Sequence, residues 1–293
     1  MSAIHSTHLV QGRSRFRITA GQVARRAAVY LVLIAGLAVF LTPFAYMVGI
    51  SFMPQAYILS TPPIFIPPHP TFDNYIAAWN GNNFGKAFLN SVMVATSATV
   101  LNLLLASSLA FGFARYRFPG RNVLFYGMLG TMMVPSLVLI IPQFVLASHL
   151  HLTNSRFGLI VVYASGMAFS VFLLRGFFEE LPQELFDAAS IDGCGIIRSF
   201  FRIGLPLARP AIAAAAIFSF FGNWDEFTWA ITSLNDTSLY TLPIAIQQFQ
   251  QANGTQWGIV FAATTIAVLP VILVFAIFQR QFIRGVAAGA VKG

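Results

Sequence analysis

Residues 184–210 read ELFDAASIDGCGIIRSFFRIGLPLARP and separate two long apolar segments; no other long polar interval carries several acids. Pro182 stands just before it, where the first turn of a helix tolerates a proline because the N–H groups of that turn are unpaired anyway. Helical spacing follows, and Gly193 breaks the run before a second helical piece begins. Leu205-Pro206 supplies a further stop, and from Ala211 to Phe221 the chain is apolar enough to enter a bilayer. The stretch predicts a helix, a turn and a helix outside a membrane, tied to spans on both sides. That form suits a segment that receives a push from a soluble partner.

The rest of the chain agrees with a membrane setting. Of 293 residues, 57% are hydrophobic and 9% charged, against roughly one-quarter charged in soluble globular domains, so the chain reads as an integral membrane protein. The formal net charge is +8, but the basic residues are scattered between apolar runs and form no patch with base-reading motifs, which argues against nucleic acid as a partner. Cys194 is the single cysteine, so neither an intrachain disulfide nor a cysteine-pair metal site is available.

Crossing the hydrocarbon layer takes about 20 apolar residues. Six segments meet that length, near residues 27–50, 87–113, 122–147, 157–177, 205–232 and 257–279, which predicts an all-α integral membrane fold of six transmembrane helices. A cytoplasmic N-terminal tail, 1–26, precedes a six-helix domain, 27–293, that contains a cytoplasmic loop at 178–204 and a cytoplasmic tail at 280–293. The first apolar run is longer than a signal-peptide core, and no small-residue cleavage site follows it. With both ends inside, cytoplasmic segments hold fifteen of the seventeen basic residues: Arg13, Arg15, Arg17, Arg25, Arg26, Arg115, Arg117, Arg121, Arg175, Arg198, Arg202, Arg209, Arg280, Arg284 and Lys292. Lys86 and Arg156 lie outside, and the reverse topology would invert the bias.

The first external loop, Pro54 to Gly85, is rich in proline and is expected to be extended until Phe72-Asp73-Asn74-Tyr75. Span two carries Ser91, Thr96, Ser97, Thr99, Asn102, Ser107 and Ser108, small polar groups that let helices approach closely and bond across an interface. Pro135 and Pro142 are expected to kink or interrupt span three. Span five contains Asn223-Trp224-Asp225-Glu226-Phe227-Thr228-Trp229. Counted as one helix from Pro206, it puts Trp224 roughly 27 Å along, in the outer half. A charged side chain at membrane depth costs ~2.5–3.5 kcal/mol and usually faces a bundle interior or a wet cavity. The tryptophans offer flat apolar faces that can stack on sugar rings; an interfacial aromatic belt is the other reading. The translocation-path candidates are Asn102, Asn223, Trp224, Asp225, Glu226 and Trp229. Adjacent acids diverge by about 100° on a helix, so one of Asp225 and Glu226 is expected to face the path and the other a neighbouring helix or a partner.

The order Asp187-Ala188-Ala189, three residues, Gly193, nine residues, Ile203, one residue, Leu205-Pro206 resembles the EAA signature of the membrane subunits of binding-protein-dependent ABC importers. Asp187 replaces the usual glutamate, and Cys194 stands where alanine is common. Thr71-Phe72-Asp73-Asn74-Tyr75 and Phe88-Leu89-Asn90-Ser91 resemble the start of the core region in sugar-importer permeases. The ending from Gly285 to Gly293 resembles the carboxy-terminus of the maltose-type membrane subunit, whose tail reaches into the ATPase dimer interface. The resemblance covers about residues 27–293.

It implies a type I ABC importer permease fold with a cytoplasmic coupling helix, in the cytoplasmic membrane of a bacterium or archaeon. It implies assembly with a second homologous permease subunit, two ATP-binding subunits and an extracytoplasmic solute-binding protein. It assigns ATPase coupling to Glu184, Asp187, Ala188, Ala189, Asp192, Gly193, Ile203, Leu205 and Pro206, and ATPase contact to Gly289, Ala290, Val291, Lys292 and Gly293. ATP and magnesium would sit on partner subunits, with no cofactor on this chain. The solute it implies is a sugar or sugar-like molecule: an oligosaccharide, a disaccharide or a glycerol-phosphate derivative.

The sequence has no phosphate-binding G-x-x-x-x-G-K-S/T loop, since neither lysine, Lys86 or Lys292, stands in that setting. No metal site is expected: His149 and His151, two residues apart, do not share a helix face and have no acidic neighbours. No catalytic constellation is visible either. The rival reading from another class is an ion-gradient-driven secondary transporter. Such a protein usually shows two repeat halves and a midplane ion site, whereas one signature loop occurs here.

Overall fold

The computed structural model describes residues 20–58, 60–62, 64–250 and 255–290. Every regular element among the described residues is helical: α1 (Ala20–Ser51), α2 (Gln55–Ile58), α3 (Asp73–Asn80), α4 (Phe84–Arg115), α5 (Arg121–Gly130), α6 (Ser136–His149), α7 (Arg156–Ser165), α8 (Ala168–Glu180), α9 (Gln183–Ile191), α10 (Ile196–Ser199), α11 (Leu205–Leu207), α12 (Arg209–Trp224), α13 (Thr228–Ser233), α14 (Leu242–Gln248) and α15 (Trp257–Ala290). By contacts the chain divides into residues 1–47 and 48–293. The described part of the first unit belongs to α1, a helix that contains Pro43 and in which Thr42 Oγ1 donates to the Ala38 carbonyl at 2.8 Å.

The second unit is built around α4, which packs against α7, α8 and α12. Its buried stripe runs Ser91, Val94, Ala95, Ala98, Thr99, Asn102, Ala106, Ser107 and Ala110, steps of three and four that keep one face inward. Leu89, Val100 and Leu104 point outward from the same helix, at 64%, 52% and 55% exposure. Small and polar residues inside with large apolar ones outside is the pattern of a helix whose outer solvent is hydrocarbon. Of the polar residues expected in interhelical contacts, Ser91, Thr99, Asn102 and Ser107 are buried; Thr96 and Ser108 are exposed and Ser97 is half-buried.

Ala24–Ser51, Phe84–Arg115 and Trp257–Phe282 are each long and apolar enough to span alone. Three bent pairs do so together: Arg121–Met133 with Ser136–His149 at 108°, Arg156–Ser165 with Ala168–Glu180 at 45°, and Ile196–Leu207 with Arg209–Trp224 at 78°. Counting each pair once gives the six expected spans. The breaks differ from expectation in three places. In span three only Pro135 interrupts: Val134 before it is extended, φ −86° and ψ 121°, as the residue preceding a proline prefers. Pro142 stays inside α6. Span four, expected unbroken, bends at Gly166 and Met167; there Asn102 Nδ2 donates to the Ala164 carbonyl at 3.2 Å, satisfying an acceptor beside the break. Span five is not one helix over 205–232, because it turns at Ala208 and stops at Trp224. Pro206 and Pro210 each occupy the first turn of a helix, where no N–H is required.

The two ends of the bundle are each closed by contacts between segments assigned to the same side. At the end predicted external, Asn90 Nδ2 donates to the carbonyls of Ser238 and Tyr240 at 3.0 and 2.9 Å, and Leu242 N–H donates to Ser91 Oγ at 2.7 Å. Asn154 Oδ1 accepts from the N–H groups of Asn235 and Asp236, both at 3.0 Å. Asn74 Nδ2 donates to the carbonyls of Ser51 and Met53 at 3.0 and 2.8 Å, and Tyr75 Oη meets Ser51 Oγ at 2.7 Å. The 71–75 and 88–91 elements are therefore clasps that hold the connecting segments at that end. A Cβ on Gly258 would lie 2.7 Å from the Asn74 carboxamide, so glycine is what lets α15 close on that clasp.

Candidate functional site

The 178–204 loop carries the first candidate site. After α8 the chain crosses Leu181 and Pro182 in extended backbone, at ψ 139° and 131°, and enters α9. Glu184 sits in the first turn of α9, where a carboxylate meets the positive end of the helix dipole. Gln183 Nε2 donates to Asp187 Oδ1 at 3.0 Å, one turn on. The helix ends by reversal through Gly193 at φ +72°. Gly193 N–H donates to the Ser190 carbonyl at 3.0 Å and Cys194 N–H to the Ala189 carbonyl at 2.8 Å, the pair of bonds that closes a helix through a left-handed residue. The turn expected at Gly193 is therefore present, with its physical reason.

The signature divides by environment. Glu184, Asp187, Ala188, Asp192 and Gly193 are exposed and Ala189 is half-buried. Leu185, Ile191, Ile196 and Ile197 are exposed beside them at 43%, 87%, 59% and 73%, apolar side chains turned away from the bundle. Ile203, Leu205 and Pro206 are half-buried, and Leu205 packs against the core formed by Phe111, Leu174, Phe178 and Phe200. Phe200–Gly204 is wound as one wide turn, with Leu205 N–H donating to the Phe200 carbonyl. A Cβ on Gly204 would come within 3.1 Å of the Phe111 ring. One end of the signature is a surface and the other an anchor.

The anchor is aromatic. The Phe111 ring lies 5.4 Å from Phe178, 5.8 Å from Phe186 and 5.2 Å from Phe200, joining α4, α8, α9 and the wide turn. Arg115, one turn beyond Phe111, donates to the carbonyls of Phe178 and Leu181, the latter at 2.7 Å, and to Gln183 Oε1 at 2.9 Å. A cavity of about 210 Å³ opens here, lined by Arg115, Gln183, Asp187, Ser190 and Cys194 among others. Sequence reasoning counted Arg115 only as a cytoplasmic charge; its four-residue spacing from Phe111 was the available signal.

The second candidate site is the break between α12 and α13. Asn102 is 2% exposed, and Trp224 and Trp229 are each 5% exposed. Trp224 stacks on Phe220 at 5.6 Å and donates its indole N–H to the Ala267 carbonyl at 3.0 Å; Trp229 lies in the core with Tyr163 and Leu159. Their interior placement, set by burial of the rings, corrects the expectation that they present flat faces to a solute. Glu226 accepts from Trp229 N–H at 2.7 Å, Ala230 N–H at 3.1 Å and Tyr163 Oη at 2.8 Å. It is the carboxylate cap of α13 and ties that helix to α7. Asp225 is exposed, and the half-buried Asn223 donates to Thr99 Oγ1 at 3.1 Å. One acid thus faces a neighbouring helix, as expected, but both lie in the non-helical segment between α12 and α13, where rotation along a continuous helix was anticipated.

Of the tail residues, Gly289 and Ala290 lie in the backbone of α15, while Val291, Lys292 and Gly293 lie outside the described residues. Among the described residues no three His, Cys, Asp or Glu side chains form a group able to hold a metal ion.

Residues 102–288 match the family model of the binding-protein-dependent transport system inner membrane component. The diacetylchitobiose uptake system permease protein NgcG of Streptomyces coelicolor is 38% identical over 280 residues, which cover 94% of this chain and 92% of that protein. The arabinooligosaccharides transport system permease protein AraQ of Bacillus subtilis is 37% identical over 224 residues, 76% of this chain and 79% of that one. Among solved structures, a bacterial ABC transporter involved in the import of the acidic polysaccharide alginate contains a chain that superposes with a TM-score of 0.78 at 21% identity, over 90% of this chain and 98% of that one.

Proposed function

Because the chain belongs to the family of binding-protein-dependent transport system inner membrane components, we propose that it is the permease subunit of an ABC importer that forms half of the path for a sugar or sugar-like solute. It is a multi-pass, all-helical membrane subunit and not itself an enzyme. Relatives named for diacetylchitobiose and arabinooligosaccharides support an oligosaccharide as cargo. A solute-binding protein outside the membrane delivers the solute, a second homologous permease completes the path, and two ATP-binding subunits hold ATP and magnesium. The fifteen-to-two division of basic residues supports a bacterial or archaeal cytoplasmic membrane with both termini inside.

The observation that carries this reading is the α9 element: an exposed helix, closed by Gly193 and flanked by uncovered Leu185, Ile191, Ile196 and Ile197, mounted on an aromatic anchor shared with α4 and α8. A surface of that kind fits a protein partner. Closure of the ATP-binding pair would displace α9, and the anchor would pass the movement to the spans that bound the path. Asp225 and Asn223 are the path candidates that keep polar groups outside the packed core.

The test is uptake into proteoliposomes that hold the assembled importer and its binding protein, with labelled diacetylchitobiose and arabinooligosaccharides as probes. Uptake should require ATP inside and stop with vanadate, while a proton or sodium ionophore leaves it unchanged. Uptake that collapses with the ionophore and ignores vanadate would return the secondary transporter.

A further inference from the structure

The link between α8 and α9 is short and weakly held by its own backbone: Leu181 and Pro182 are extended, the Leu181 N–H reaches the Phe178 carbonyl only at 3.4 Å, and Pro182 has no N–H to give. Left alone, such a link is a hinge, and a push on α9 would bend it before moving the bundle. The structure places one side chain across it. Arg115 ends α4 and reaches over the C-terminus of α8, where carbonyls lack partners within the helix and a cation is favoured by the helix dipole. Its guanidinium donates to the carbonyls of Phe178 and Leu181, on both sides of the end of α8, and to Gln183 Oε1 at 2.9 Å on the first residue of α9. It also lies over the Phe186 ring at 4.3 Å from the centroid. Three helices therefore meet on one planar, forked cation.

We infer that Arg115 is the positioning residue that locks α9 to α4 and α8, so that displacement of α9 moves the bundle and is not lost in the Leu181–Pro182 link. The mechanical consequence rests on the function proposed above; the lock itself does not. Lysine at this position keeps the charge but has neither the fork nor the flat face. It can hold one carbonyl and cannot also bridge Gln183 and stack on Phe186.

Two measurements separate the lock from its consequence. Hydrogen exchange of the full chain in lipid nanodiscs reads the lock: in Arg115→Gln, amides 183–193 should exchange about tenfold faster or more, as loss of charge-assisted bonds in a locally opening segment gives, while the buried stretch of α15 keeps its protection. Arg115→Lys should fall between wild type and Arg115→Gln. Unchanged protection of 183–193 overturns the inference, and so does equal loss across α4, α12 and α15, which marks Arg115 as a general stability residue. If Arg115→Gln does not accumulate, Arg115→Lys and Gln183→Ala are read the same way against the same two outcomes. In the assembled importer, solute moved per ATP hydrolysed should fall several-fold in Arg115→Lys while hydrolysis continues. A looser α9 with an unchanged transport ratio leaves the lock standing and refutes its part in coupling. Failure of the wild-type chain to assemble with ATP-binding subunits refutes the function proposed above and leaves the exchange result intact.

Discussion

Gly193 shows how one residue can be decided by backbone alone. Its φ of +72° is the left-handed region, where a side chain costs ~1–2 kcal/mol, yet a Cβ built there meets nothing within 4 Å. Gly193→Ala should therefore loosen the end of α9 without disturbing the core, Gly193→Val should do so more, and Gly193→Asn should cost least because asparagine tolerates that region. Hydrogen exchange at 189–194 in the three variants checks the order; if alanine and asparagine are indistinguishable from wild type, the turn is not what closes the helix. The neighbouring acids 225 and 226 offer a sharper contrast. Glu226 holds two N–H groups and a tyrosine hydroxyl, so Glu226→Ala should destabilise the chain by ~1–3 kcal/mol, the cost of a lost cap and an orphaned buried donor. Asp225→Asn, at an exposed position, should leave the thermal midpoint in detergent within about a degree and act only on transport. Equal midpoints for both variants would remove the cap assignment.

At the scale of elements, α9 is a helix of nine residues, too short to be stable alone, and it persists because Phe186 is packed in the Phe111 cluster while Arg115 holds its start. Its outer face is then free to be changed. Asp187→Lys and Ile191→Asp should both leave membrane insertion intact while lowering co-purification of ATP-binding subunits and solute-stimulated hydrolysis by tenfold or more, about the loss of one well-packed interface residue. Ile191→Asp should also leave the α8–α9 junction intact, whereas Asp187→Lys removes the acceptor of the Gln183 bond. Normal stimulated hydrolysis in both variants would mean that the face is not a docking surface. The clasps at the opposite end follow the same rule: Asn74 and Asn90 each hold two backbone carbonyls. Their sequence context pointed to a core region, and what they hold became visible only in the fold.

Over the whole molecule, segments with the same expected side meet each other: Arg115 reaches the 178–183 link, Arg175 lies over Phe125 at 3.8 Å, and Asn154 holds the 235–236 turn. Topology can be read with the single cysteine as a starting point. In a Cys194→Ala background, a cysteine at Ile191 should react with a membrane-impermeant maleimide only after the membrane is opened, and one at Thr237 should react in intact spheroplasts. The reverse pattern would overturn the charge-based orientation, and with it the placing of α9 on the side where ATP is available.

The fold class, the six spans, the turn at Gly193 and the family were legible in the sequence, because each rests on something local: apolar length against bilayer thickness, a residue that alone tolerates a left-handed turn, and spacing along one segment. The candidate path was legible only as composition. Asn223 to Trp229 reads as a row of polar and aromatic groups, but where α12 stops decides that Trp224 and Trp229 turn inward and that Glu226 caps α13. That stop, like the bends at Ala208 and Gly166, depends on which distant groups accept or donate the backbone hydrogen bonds a broken helix releases. Asn102 supplies one at Ala164 from 62 residues away, and Tyr163 meets Glu226 from 63 away. Arg115 belongs to the same class: in the sequence it is one of fifteen cations in segments expected to be cytoplasmic, and tertiary packing brings the end of α8 and the start of α9 within reach of its fork.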